Sequence, residues 1–147
     1  MNEERYLLDN NALSHLTAPQ RSSTFFYDRC HLPSEIVYEA QGYPDANEFK
    51  NVEYPTTSRV LSHLSAVMAT VPADDISLVN LYSNKGAADP MLIACALDGM
   101  EEAASHLWGP TWVVVSNDHA VRAKATELGV ESCTREEFLA KTKDQWK

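Results

Sequence analysis

Short apolar runs alternate with stripes of helical period along this chain, and that alternation constrains the fold more than any other feature. Tyr6-Leu7-Leu8, Cys30-His31-Leu32, Trp112-Val113-Val114-Val115 and a last segment opening at Val130 read as strands, with helical patterns between them. Strands that alternate with helices predict an α/β domain with a mostly parallel sheet. Right-handed crossovers then bring the carboxyl ends of all strands to one edge. Residues 1–147 read as a single domain, because no repeat, low-complexity run or linker divides them.

The punctuation between elements sharpens this outline. Asp9-Asn10-Asn11 ends the first strand and leads into a helix through Leu13 and Leu16. Residues 18–29 read as a loop tethered by Phe25-Phe26. Ser34 is placed to cap a helix running to Gln41, with Gly42 just beyond it. Residues 43–56 are turn-rich, with room for one short helix. Val60, Leu64, Val67 and Val71 form a helical stripe that is expected to pass into a short strand near Ala69–Val71. Ala73 to Tyr82 fits a helix better than a strand.

Asp89 and Pro90 suit the N-cap and first position of a helix whose stripe is Ile93, Leu97, Met100, Ala104 and Leu107, stopped by Gly109-Pro110. Ser116-Asn117-Asp118 turns the strongest strand into a helix carrying Val121, Ala125 and Leu128, ended by Gly129. Thr134 to Glu137 has the form of a capping box, with Cys133 and Phe138 as its hydrophobic staple.

Charge and cysteine content narrow the function classes. Twelve Lys and Arg stand against 21 Asp and Glu, a formal charge of −9, which argues against a DNA binder held by a basic surface. It leaves room for a nucleic-acid enzyme whose carboxylates surround a divalent cation, since the cation reverses the local field. Cys30, Cys95 and Cys133 are scattered and form no CxxC pair, so neither a disulfide framework nor a zinc site is expected, and a reducing cytoplasm is the expected location. The apolar run Met91–Leu97 is far shorter than the roughly 20 residues of a membrane span. The opening MNEERYLLDNNAL has no signal-peptide character, so no membrane partner is expected.

Asp9 ends the first strand and Asp118 lies just past the strongest one, so a parallel sheet places both on the same edge. Asp89 opens a helix and Glu39 lies within another. If the four converge, their mutual repulsion raises their pKa values unless a cation neutralises them. A hard divalent ion with oxygen ligands, Mg²⁺ or Mn²⁺, resolves the repulsion and can polarise a phosphate and activate water. Each Asp alone is equally an ordinary helix cap, and Glu39 alone an ordinary solvated residue.

Four segments in order carry a resemblance: Leu7-Leu8-Asp9-Asn10-Asn11-Ala12-Leu13, Ser34-Glu35-Ile36-Val37-Tyr38-Glu39, Ala88-Asp89-Pro90-Met91-Leu92-Ile93-Ala94 and Val113-Val114-Val115-Ser116-Asn117-Asp118. Together they resemble the four motifs of PIN domains, metal-dependent ribonucleases that include many VapC-like toxins of toxin–antitoxin pairs. The resemblance spans almost the whole chain. It implies a three-layer α/β/α sandwich around a five-stranded sheet in order 3-2-1-4-5, and RNA hydrolysis by water activated on Mg²⁺ or Mn²⁺. Asp9, Asp89, Asp118 and Glu39 match the metal-binding and catalytic acids; Asn11, Ser116 and Asn117 match supporting positions. Asn10 stands where the family more often has Thr or Ser. Glu35 competes with Glu39 for the helix position, and the spacing to Gly42 favours Glu39. An antitoxin protein and a homodimer through the helices of residues 34–68 are further implications.

Other residues carry less. Arg122, one turn from Asp118, could steer the substrate backbone; His119 and Lys124 read first as exposed helix residues, and Cys95 as core packing. Trp108, Trp112 and Trp146 are too far apart in sequence to predict a stacking platform. An aspartyl-phosphate phosphatase would need a second Asp where Asn11 stands, and a receiver domain an acid pair and a late Lys. A catalytically silent PIN-like interaction module is the alternative from another class.

Overall fold

Tyr6 and Leu8 point to one side of the central strand and Leu7 to the other, and this alternation divides the interior in two. The computed structural model describes residues 3–72, 74 and 88–146. β1 (Glu4–Leu8) pairs in parallel with β2 (Cys30–Pro33) on one side and β4 (Thr111–Val115) on the other. β3 (Glu53–Tyr54) extends the sheet beyond β2, and β5 (Glu131–Cys133) extends it beyond β4. The order is 3-2-1-4-5 and every pairing is parallel, as expected.

Helices cover both faces, which makes three layers. Tyr6, Leu8, Val113 and Val115 pack with residues of α1 (Asn10–Ser14), α3 (Thr24–Arg29), α4 (Ser34–Glu39), a 3₁₀ helix (Ala46–Val52) and α8 (Arg135–Thr142). Leu7, Trp112 and Val114 pack with α5 (Ser58–Ala69), α6 (Ala88–Ala104) and α7 (His119–Glu127). β1 and β4 read as unbroken apolar runs because both of their faces are buried. The expected capping box is formed by Thr134 and Glu137, Cys133 and Phe138 are buried in one cluster, and Gly129 takes the left-handed φ of 77° after α7.

Several local expectations are corrected. Residues 18–29 are not a loop: α2 (Ala18–Arg21) starts with a Thr17–Gln20 capping box, and Ser23 caps α3. Helices of four and six residues are too short to show an apolar stripe. No strand forms at Ala69–Val71, because α5 continues to Ala69 and Thr70 caps it; the third strand is Glu53-Tyr54, whose two residues have no apolar signature. Ser34 is the first residue of α4 rather than its cap, and its hydroxyl donates to Glu53 Oε2 at 2.7 Å. α4 ends at Glu39 rather than Gln41, and Gly42 has no left-handed φ. α6 begins one residue before Asp89, and its first half is buried all round from Met91 to Ala96, while Met100 and Leu107 are exposed. The helix reading of Ala73 to Tyr82 lies outside the described residues apart from Asp74. Among the described residues no helix is long and apolar enough to cross a membrane.

Candidate metal-binding active site

The parallel register delivers the ends of β1 and β4 side by side: Leu8 lies opposite Val115, and the Asp9 N–H donates to the Val115 carbonyl at 3.2 Å. Asp9 then caps α1, its Oδ1 accepting the Ala12 N–H at 2.7 Å, and the residue is 9% exposed. Three residues past the end of β4, Asp118 caps α7 through the Ala120 N–H at 2.8 Å. Both therefore do what a helix-capping Asp does, and both also face a pocket of about 350 Å³ lined by Asp9, Asn10, Asn11, Ile36, Glu39, Asp89, Asn117 and Asp118. The four expected acids thus meet in one place, drawn from α4, α6 and two strand ends.

Their electrostatics show the crowding. Burial first, and then the charges of Asp118, Asp9 and Glu39, together push the Asp89 carboxyl up to about 6. Asp9 is raised chiefly by burial and also by Asp118, against the lowering effect of hydrogen bonds from Ala12 and Ser116 and of the Arg135 charge. Glu39 is raised by burial, then by Glu35 and Asp9. A set of oxygen donors that disfavour one another's ionised forms suits a hard divalent cation, so Mg²⁺ or Mn²⁺ fits the residues present.

The supporting residues build the frame. Ser116 is fully buried; its hydroxyl accepts the Asp118 N–H at 3.1 Å and favours the charged form of the Asp9 carboxylate. Asn117 gives its Nδ2 to Glu136 Oε1 at 3.0 Å and takes the Arg135 N–H on its Oδ1 at 2.6 Å, fastening the turn to the start of α8. Arg122 donates to the Ser116 carbonyl at 3.1 Å and lies outside the pocket lining, where it stiffens the turn. Glu35 is not a lining residue either, and its Oε2 is buried without a hydrogen-bond partner.

Arg135 was not foreseen. It stands at the first position of α8, and its guanidinium reaches back to Asn11 Oδ1 at 2.8 Å. The sheet order held the signal: the strand before α8 ends on the same edge as β1 and β4.

A second cluster lies away from this pocket. Among the described residues, His63, Asp98 and Glu101 are the trio of potential ligands whose atoms lie within 4.8 Å of one another. Asp98 is 4% exposed, with Oδ2 taking the Tyr54 hydroxyl at 2.5 Å and Oδ1 paired to the Arg59 guanidinium. Both oxygens are therefore already satisfied, and the cluster reads as an ionic clamp between α5 and α6.

No protein-family model matches the chain, and no curated protein matches it. The geometry of the acidic pocket is thus the main ground for a functional reading.

Proposed function

We propose that this protein is a metal-dependent endoribonuclease of PIN type, hydrolysing RNA phosphodiesters at the pocket of Asp9, Glu39, Asp89 and Asp118. The observation that carries the reading is that these four acids, far apart in sequence, line one pocket, where burial and neighbouring carboxylates raise the carboxyls of Asp9, Glu39 and Asp89. Mg²⁺ or Mn²⁺, when bound, would polarise the scissile phosphate and lower the pKa of water. Asp9, Asp89 and Asp118 would hold the ion, with Ser116 keeping the Asp9 and Asp118 carboxylates in register. Glu39, on the exposed rim, would orient the attacking water and accept its proton at a carboxylate oxygen. The water oxygen would bond to phosphorus as the bond to the departing sugar oxygen breaks; that oxygen takes a proton from solvent, to which Glu39 returns its own.

A charge of −9 gives poor long-range attraction to RNA, so the substrate is single-stranded or looped RNA recognised by shape and local contacts. An antitoxin carrying Arg or Lys would fit the same pocket, replacing the cation's charge. A homodimer would use the face of residues 34–68, where Tyr38 is 71% and Leu61 51% exposed. A reducing cytoplasm suits three cysteines that are unpaired and buried.

One observation favours a second reading, a catalytically silent module: Asp9 and Asp118 both have structural employment as helix caps. RNA cleavage assayed with Mg²⁺ or Mn²⁺, with excess chelator, and with Asp9→Asn separates the two. Cleavage should need the ion and fall at least a hundredfold in the variant. Cleavage that persists in excess chelator overturns the metal-assisted mechanism, and no cleavage with either ion overturns the nuclease assignment.

A further inference from the structure

We propose that Arg135 is a substrate-binding residue that takes an RNA phosphate at the edge of the acidic pocket. The inference rests on the nuclease reading for its substrate, and on three observations for its place. First, among the described residues Arg135 is the one Lys or Arg whose side chain bonds a pocket-lining residue, Asn11, at 2.8 Å. Other cations are engaged elsewhere: Arg21 with Asp45, Arg59 with Asp98, Lys124 with Glu127, and Arg122 and Arg29 with backbone carbonyls. Second, Arg135 opens α8 directly after β5, on the sheet edge where β1 and β4 also end. Third, its backbone is fixed by Asn117 Oδ1 at 2.6 Å, and its Nη1 lies 3.2 Å from His15 Nδ1, so two pocket-lining residues and a histidine set its position.

An acidic pocket repels the phosphates that flank the one it cleaves, and a fixed guanidinium at its rim offsets that repulsion where the strand must pass. Arg suits the task because its planar fork matches two phosphate oxygens. Its present anionic partner is Glu136, whose side chain is 59% exposed, so a phosphate can take that place while Glu136 keeps its bond from Asn117. The Asn11 contact survives this exchange and keeps the fork aimed at the rim.

The test measures fluorescence anisotropy of a labelled single-stranded RNA oligomer on the Asp89→Asn protein, alone and combined with Arg135→Ala, Arg135→Gln or Arg135→Lys. RNA cleavage and KM are measured in parallel on the Arg135 variants of the otherwise unchanged chain. Loss of the charge in Ala or Gln should raise Kd about tenfold and lower the slope of log K against log salt by about one, with Lys recovering part of it. KM should rise more than kcat falls. Gln can still donate to Asn11, so it separates lost charge from a disturbed helix start, and melting curves confirm folding. Equal Kd and salt slope in all four proteins, or no RNA binding by the Asp89→Asn parent, overturns the inference. RNA binding that depends on Arg135 without any cleavage by the unchanged chain overturns the nuclease reading and leaves Arg135 standing; cleavage with normal KM in Arg135→Ala does the reverse.

Discussion

The buried Ser116 hydroxyl ties itself to Asp118, accepting its N–H at 3.1 Å, while it also favours the charged form of the Asp9 carboxylate. One small side chain thereby links the end of β1 to the turn after β4. Replacing it tests that link. Ser116→Ala should cost about 1–2 kcal/mol, since the Asp118 N–H loses its partner and Asp9 loses a polar neighbour that favours its charged form. Urea unfolding measures the loss, and a midpoint equal to that of the unaltered chain would remove Ser116 from the frame.

The pocket acids set a pH dependence of stability. The Asp89 carboxyl is raised from 3.8 to about 6 in the folded chain, so the fold holds its proton more tightly than the unfolded state does. Its contribution is full below about pH 4 and is lost as pH rises through 6. Metal-free protein should therefore gain about 1 kcal/mol on going from pH 7 to pH 5, a figure that allows for solvent screening of a partly exposed group. Asp89→Asn should remove most of this slope and melt higher at pH 7 in chelator. Denaturant titrations at the two pH values decide it; an unchanged slope in the variant is the contrary result.

Divalent ions should reverse that cost. Mn²⁺ or Mg²⁺ at a hundred times its Kd stabilises by about 2.7 kcal/mol when only the folded state binds it. Thermal unfolding of the unaltered chain should shift upward with the ion, and Asp89→Asn should shift much less. Identical shifts in both proteins would place the binding elsewhere, with the His63, Asp98 and Glu101 cluster the first location to examine.

Packing of α6 on the sheet gives a prediction independent of function. A Cβ added at Gly99 would lie 2.5 Å from Trp112 Cε2, so Gly99→Ala should cost about 2–3 kcal/mol as helix and strand separate. Gly129→Ala meets nothing within 4 Å but must hold φ at +77°, a backbone cost of about 1 kcal/mol. Unfolding midpoints should rank the two in that order.

Asp9 and Asp118 were legible in the sequence because each follows an apolar run that can only be a buried strand, and a parallel sheet then leaves little freedom in where they go. Asp89 was legible too, though it lies inside the first turn rather than before it, a one-residue difference that Pro90 does not resolve because the first turn lacks internal N–H partners anyway. Glu39 depended on the spacing of a family motif, since nothing local tells an acid at a helix end which way it faces. β3 was hidden because its residues, Glu53 and Tyr54, are held by pairing with Leu32 and Pro33 rather than by apolar pattern. Arg135 was hidden for a related reason: its neighbour Asn11 lies at the other end of the chain, and only the tertiary fold joins them.

Because β1 is flanked by β2 and β4, its second neighbour does not exist until the ribosome has made residues 111–115, and Asp118 follows only after that. A growing chain therefore carries Asp9, Glu39 and Asp89 before β4 and Asp118 exist to complete the pocket. Cleavage competence would arrive at once, with residues 111–118, rather than accumulate as the chain lengthens. For an enzyme that hydrolyses RNA, such timing would keep the unfinished protein harmless to the message that encodes it.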